Sequence, residues 1–174
     1  MRFIDFLRAT VMLSAGSATL LAVVTVIGVS RELEPLVIYV ALAWWVIATG
    51  IGVALGRRAE TTPPIAKLLA AARMQSSLPE LQPGVTLLNR LWPLLVLTVG
   101  AAALAFFEPQ VAAVGTGFGI IWALAWRRQH DAVAAIEERD AVRFCVDRTS
   151  PLKPMRLVRT PGFGGDFLQL DGHP

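Results

Sequence analysis

The stretch TVMLSAGSATLLAVVTVIGVS, Thr10 to Ser30, contains no charged side chain and decides the class of the fold. A helix needs about 20 apolar residues to cross the hydrocarbon core of a bilayer, within a range of about 17–25. The run meets this length, and it exceeds the about 7–15 apolar residues of a secretory signal peptide. We therefore expect a retained membrane-spanning helix, with a cleaved signal peptide as the alternative.

Three more apolar runs follow, and short connections that each contain a Glu-Pro pair join the four runs two by two. Proline is tolerated just past a helix end or in the first turn of the next helix, so each pair of runs predicts a tight helical hairpin. The predicted fold is an all-α integral membrane protein, a four-helix transmembrane bundle made of two hairpins. The predicted spans are about 10–30, 36–55, 91–107 and 111–126, and together they form a transmembrane domain over 1–126.

The parts of the chain outside these spans predict smaller features. In the cytoplasmic loop 56–90, the Pro-Pro pair at 63–64 can start a short amphipathic helix over IAKLLAAARMQSS, 65–77, that lies at the membrane interface or packs on the bundle. After Trp126 we expect the last helix to continue, which makes it an extended last helix. Apolar and polar residues then alternate as in strands. This predicts a small cytoplasmic C-terminal β-hairpin or extended arm within a cytoplasmic helix and basic tail over 127–174.

The composition excludes an ordinary soluble domain. Charged residues make up 17% of the chain, whereas a soluble domain carries about 25%. The formal net charge of +3 is explained by the basic residues that accumulate in cytoplasmic loops of membrane proteins, so we expect no nucleic acid partner. The single cysteine, Cys145, excludes an internal disulfide. We interpret it as a buried or unreactive thiol rather than a nucleophile or a lipidation site.

The distribution of charge predicts an orientation. If both Glu-Pro connections lie outside the membrane, Arg31 is the only one of the 16 Lys and Arg residues on that side. Because basic residues favour the cytoplasmic side, the sequence predicts a multi-pass protein of the cell (plasma) membrane with both termini cytoplasmic.

Small residues recur four positions apart along one face of three predicted spans. Such residues let two helix backbones come close. The pattern predicts either packing of the four helices on each other or a face for a homodimer or partner, and packing within the chain is the favoured interpretation. The predicted helix-packing residues are Ser14, Ala18, Ala22, Ala48, Gly52, Gly56, Gly115, Gly119 and Ala123.

The sequence offers little for chemistry. No Asp, Glu, Lys, Arg or His falls inside the four predicted spans, which argues against a charged pathway through one chain. His130, Asp131 and Glu137 lie on the predicted last helix, but a metal site would need more ligands at better spacing. A solvated polar helix, in which Glu137 and its acidic neighbours offset the arginines, is the favoured interpretation. We predict no catalytic residue, no metal site and no cofactor, and we do not expect an enzyme.

The C-terminal tail is the densest basic region, and it also holds apolar residues. Basic segments at the cytoplasmic face attract anionic lipids by about 1 kcal/mol per Lys or Arg, whereas disordered tails are poor in apolar residues. We expect the tail to dock on its own cytoplasmic loop, on the lipid surface or on another protein. The predicted lipid or partner surface consists of Arg143, Arg148, Lys153, Arg156 and Arg159.

Together these features favour a small polytopic membrane protein that acts as a non-enzymatic scaffold or accessory subunit. It would contact partners or lipid through its cytoplasmic tail. The lipid bilayer is the expected partner, and a protein partner or a homo-oligomer stays open. The alternative is a component of an oligomeric transporter or channel, for which a polar cavity lined by Ser14, Ser17 and Thr116 would be evidence.

Overall fold

The computed structural model describes residues 1–30, 35–57, 60–74, 83–147 and 155–161, and most of them are helical. Four of the helices, α1, α2, α4 and α5, are long and apolar enough to cross a membrane. The elements in chain order are α1 (Phe3–Val29), α2 (Pro35–Leu55), α3 (Pro63–Ala70), β1 (Arg73–Met74), α4 (Pro83–Leu104), α5 (Pro109–Trp126), α6 (Gln129–Arg139), β2 (Val142–Val146) and β3 (Leu157–Pro161).

Proline sets the start of four of these helices. Pro35, Pro63, Pro83 and Pro109 are the first residues of α2, α3, α4 and α5. The first residues of a helix have no intrahelical partner for their N–H groups, so a residue without an N–H group costs nothing there. The Glu-Pro pair before α5 therefore acts as predicted, with Glu108 extended and Pro109 helical.

Helix α5 lies at the centre of the bundle, between α1 and α2, and it runs antiparallel to α1 and parallel to α2. Helix α4 contacts α1 and α5 from one side. Only 6% of the residues in the most apolar window of α4 are buried, against 28% for the segment that contains α5, so α4 is the more loosely packed helix.

A small sheet forms beside one end of the bundle. Its strand order is β1-β3-β2, with β1 parallel to β3 and β2 antiparallel to β3, so that Phe144 lies opposite Arg159. The N-terminus extends the sheet at its other edge, because Arg2 bridges to Cys145 and the N–H group of Val146 donates to the carbonyl oxygen of Met1 at 2.9 Å.

This sheet covers a core of large apolar side chains. We call strands β1–β3, helices α3 and α6 and residues Met1–Leu7 the sheet unit. Its core joins the start of α1 to the strands, and Leu91 of α4 packs against it. The most deeply buried members are Phe3, Leu7, Ile65 and Val133.

The structure corrects four expectations from the sequence. The first two spans do not form a tight hairpin, because α5 lies between α1 and α2. Helix α1 begins at Phe3 instead of Thr10, because residues 3–9 have the sheet unit to pack against. The loop helix ends at Ala70, and Arg73–Met74 pairs with β3 as a strand. The last helix is interrupted by a two-residue turn at 127–128, where the chain leaves α5 for α6.

Candidate functional site

The contact between α1 and α5 is built from small residues. A Cβ atom added at Gly119 would lie 3.0 Å from the Cβ atom of Ala18 and 3.4 Å from the carbonyl oxygen of Ser14. Ser14 is fully buried, and its hydroxyl donates to the carbonyl oxygen of Thr10 at 2.8 Å. The two backbones can approach this closely because neither carries a large side chain at the crossing.

The contact between α2 and α5 is closer still. A Cβ atom added at Gly56 would overlap the carbonyl oxygen of Leu124, and one added at Gly117 would overlap the indole of Trp44. The indole N–H group of Trp45 donates to the carbonyl oxygen of Ala113 at 2.9 Å. This interface therefore combines close backbone contact with a hydrogen bond that satisfies a polar group between two apolar helices.

The nine predicted helix-packing residues divide by burial. Six are buried: Ser14, Ala18, Ala48, Gly52, Gly56 and Ala123. Three are half-buried: Ala22, Gly115 and Gly119. Gly115 nevertheless faces a neighbour, because a Cβ atom there would lie 3.0 Å from Cδ1 of Leu21.

Glu137 joins three parts of the sheet unit. One carboxylate oxygen accepts a hydrogen bond from the N–H group of Phe144 at 2.8 Å, and the other forms an ion pair with Arg2 at 3.2 Å. The side chain is buried, which contradicts the expectation of a solvated residue that merely offsets nearby arginines. Burial of a carboxylate is costly unless it is paired and hydrogen-bonded, as Glu137 is.

The predicted basic surface is only partly formed by the described residues. Arg143 and Arg156 are exposed, whereas Arg159 is half-buried and lies 3.8 Å from the carboxylate of Asp140. Arg148 and Lys153 lie outside the described residues.

Asp140 connects this surface to α6. The hydrogen bond from Arg139 at 2.9 Å, together with the positive charges of Arg139 and Arg159, holds the pKa of the Asp140 carboxyl below its usual value. Asp140 is therefore an anion between two cations, and it lowers the net positive charge of that part of the surface.

The remaining candidates for chemistry do not form a site. His130 and Asp131 lie 3.2 Å apart, but they are neighbours in the chain, and the residues that the structure describes hold no group of three or more His, Cys, Asp or Glu side chains suited to a metal ion. Cys145 is buried in β2. Structural cysteines that are buried are inert in most proteins.

Arg90 is the residue that sequence reasoning missed. The third span was predicted to begin at Leu91, which placed Arg90 in the loop, but α4 begins at Pro83 and Arg90 lies well inside it. It lines a groove between α1, α4 and α5. Pro83, which can occupy the first turn of a helix ahead of Leu87 and Leu88, was the available signal for an earlier start.

We compared the chain with known proteins, and no family model, curated protein or solved structure matches it.

Proposed function

We propose that the protein is an integral membrane protein whose four apolar helices span the cell membrane as a bundle, with both termini and the sheet unit in the cytoplasm. Its role is that of a non-enzymatic scaffold or accessory subunit. The exposed basic side chains of the sheet unit form its contact surface for a partner or for lipid.

One observation carries this proposal. Among the described residues, every large apolar side chain that is exposed, apart from Met74, lies in α1, α2, α4, α5 or the connection between α4 and α5. A soluble monomer rarely exposes contiguous apolar patches larger than a few hundred Å², whereas helices in lipid expose such side chains at no cost.

The charged residues support the orientation. Lys67, Arg73, Arg143 and Arg156 are exposed on the sheet unit, and Arg57 and Arg128 lie at the end of the bundle next to it, joined by a hydrogen bond of 2.9 Å. We call this the basic end of the bundle. Basic residues favour the cytoplasmic side, so the sheet unit is cytoplasmic in the proposal.

The alternative, a component of an oligomeric transporter or channel, has less support. Thr116 and Ser14 are buried, and each hydroxyl donates to a carbonyl oxygen of its own helix, at 2.9 and 2.8 Å. The hydroxyls of these two residues are thus used within their own helices. Ser17, the third residue of the predicted polar cavity, lines the groove between α1, α4 and α5, whose walls are mainly apolar.

The membrane topology can be tested with single cysteines. Cys145 is replaced by alanine, and Phe107→Cys or Lys67→Cys is introduced at exposed positions at opposite ends of the bundle. A membrane-impermeant maleimide should label Phe107→Cys in intact cells and label Lys67→Cys only after permeabilisation. The reverse pattern would refute the orientation, and release of the protein from membranes by carbonate would refute the spanning bundle.

The contact surface can be tested by removing its charge. In the variant Arg143→Gln/Arg156→Gln the sheet unit loses two exposed cations, and in the control Arg8→Gln/Arg57→Gln the chain loses two exposed cations elsewhere. We expect a protein that co-purifies in mild detergent to fall at least about tenfold in the first variant and to stay unchanged in the control, as measured by quantitative mass spectrometry. If all three forms retain the same proteins, the sheet unit is not the contact surface.

A further inference from the structure

A groove of about 610 Å³ runs between α1, α4 and α5. Its walls are mainly aliphatic and aromatic, with Leu21, Leu94, Leu97 and Phe118 among them. The groove exists because α4 packs loosely against the two helices beside it. Its volume lies within the about 300–1,000 Å³ typical of ligand pockets.

The groove is about as long as half the thickness of the hydrocarbon core of a bilayer. Its wall on α4 runs from Arg90 to Ala101, and its wall on α5 runs from Trp122 to Val111. At a rise of about 1.5 Å per residue, each wall is about 16 Å long. The hydrocarbon core of a bilayer is about 30 Å thick, so half of it is about 15 Å.

The two ends of the groove differ in polarity. Arg90 and Thr10 lie at the end nearest the sheet unit, as their neighbours Leu91 and Leu7 belong to the core of that unit. Trp122 lies at the same end and stacks on Trp126 with ring centroids 5.3 Å apart. Tryptophan side chains favour the headgroup level of a membrane, so this end of the groove is at the level of the lipid headgroups.

The charge of Arg90 and the narrowness of the groove together favour one kind of ligand. A helix is at least about 10 Å across with its side chains, so a stretch about 16 Å long fills about 1,200 Å³, roughly twice the groove. A single acyl chain is much thinner. The guanidinium of Arg90 already has an interaction within the chain, but its five N–H donors allow it to bind a phosphate as well.

We propose that this groove binds one acyl chain of an anionic phospholipid, with the phosphate beside Arg90 and the chain lying between α4 and α5. The site depends on the membrane location proposed above. In that orientation the lipid comes from the cytoplasmic leaflet, and it fills the space that the loose packing of α4 leaves open.

The test uses the full chain in nanodiscs that contain equal amounts of phosphatidylglycerol and phosphatidylcholine with the same acyl chains. Native mass spectrometry after release counts the bound lipids of each kind. We expect about one retained lipid per chain, with phosphatidylglycerol favoured at least about fivefold. Equal retention of the two lipids by the unmodified protein would overturn the proposal.

Two variants separate the headgroup from the acyl chain. Arg90→Gln should abolish the preference for phosphatidylglycerol, while the control Arg57→Gln keeps it. Leu97→Trp should lower the total bound lipid at least fivefold by filling the groove, while Leu88→Trp, at an exposed position of α4 that does not line the groove, should not.

Three further results of this test would overturn the proposed lipid site. Unchanged lipid binding in Leu97→Trp would show that the groove is empty of lipid. A change of oligomeric mass in that variant, without a change in lipid, would show that a second copy of the chain occupies the groove. A chain that carbonate washes from membranes would instead refute the spanning bundle, before any lipid is counted.

Discussion

The bundle and the sheet unit bury different kinds of side chain. Where α5 crosses its neighbours, most buried residues are small, as at Ala18, Ala48 and Ala112, and most large apolar residues point outward. Leu21 is an exception, since it is buried against α5. The sheet unit does the opposite and buries Phe3 and Phe144. Lipid tails are as apolar as leucine, so burial of a large side chain between spans gains little, whereas in water it is the dominant favourable term. The two regions thus have the burial patterns expected for two different solvents, lipid for the bundle in the proposed location and water for the sheet unit.

The largest loss of stability is expected when a cavity is made in the sheet unit. Leu7 is 1% exposed, and Leu7→Ala should lower the free energy of unfolding by about 2–5 kcal/mol, because it loses the buried atoms and leaves a void. Leu88→Ala, the same change at a position that is 62% exposed on α4, should have almost no effect. Thermal unfolding of both variants in the same detergent measures the difference. If both variants lost the same stability, the two regions would not differ in how they gain stability from large apolar side chains.

The next largest loss of stability is expected when a side-chain atom is added in the bundle. Gly56→Ala should cost about 1–3 kcal/mol, because the new Cβ atom meets the backbone of Leu124, which no side-chain rotation can relieve. Gly50 of α2 has no atom within 4 Å of such a Cβ, so Gly50→Ala, six residues before Gly56, is the control and should be neutral or slightly stabilising. The comparison fails if the two alanine variants unfold at the same temperature.

A smaller effect is expected at the buried carboxylate. Glu137→Gln removes the charge that pairs with Arg2 but keeps an oxygen for the N–H group of Phe144, so the cost should be about 1 kcal/mol. Hydrogen exchange should accelerate at the amide of Val146, which bonds to Met1, and stay unchanged in α2. Glu138→Gln, at the exposed neighbouring position, is the control. Faster exchange throughout the bundle would show that the two regions open together.

The smallest effect is a dependence on pH. The pKa of Asp140 is lowered by Arg139 and Arg159, so its contribution to stability is present above the ordinary Asp pKa of about 3.9 and is lost as the pH falls through the lower folded value. Asp140→Asn should therefore reduce the acid sensitivity of unfolding below about pH 4, relative to Asp131→Asn at an exposed position. An unchanged pH profile would show that this carboxylate contributes nothing.

The sequence predicted the apolar helices well because each is a local signal. Length without charge indicates a span, and a Glu-Pro pair indicates a helix start, so the four apolar helices could be predicted without tertiary information. Their packing could not be predicted in this way, because α5 lies between α1 and α2 and separates the first pair. The alternation around Phe144 likewise indicated β2, which pairs with β3 in the sheet.

The sheet unit was hidden because its partners are far apart in the chain. Arg73–Met74 continues a helical pattern, and only its pairing with β3 makes it a strand. Glu137 resembles any acidic residue on a polar helix until the N-terminus is placed beside it. Arg90 was assigned to the loop for another reason. A hydropathy pattern locates the first apolar run of a helix, here at Leu91, whereas α4 itself begins earlier, at Pro83.

The ion pair between Arg2 and Glu137 joins two residues that are made at different times during synthesis. Arg2 and Glu137 are 135 residues apart, which a ribosome that adds about 5–20 residues per second covers in roughly 7–27 s. During that interval residues Met1–Leu7 have no strand to pair with. In the membrane location proposed above, the spans can meanwhile enter the bilayer one after another. The sheet unit can therefore close only after β3 has been synthesised, and a nascent chain arrested before β3 should expose residues Met1–Leu7 to protease.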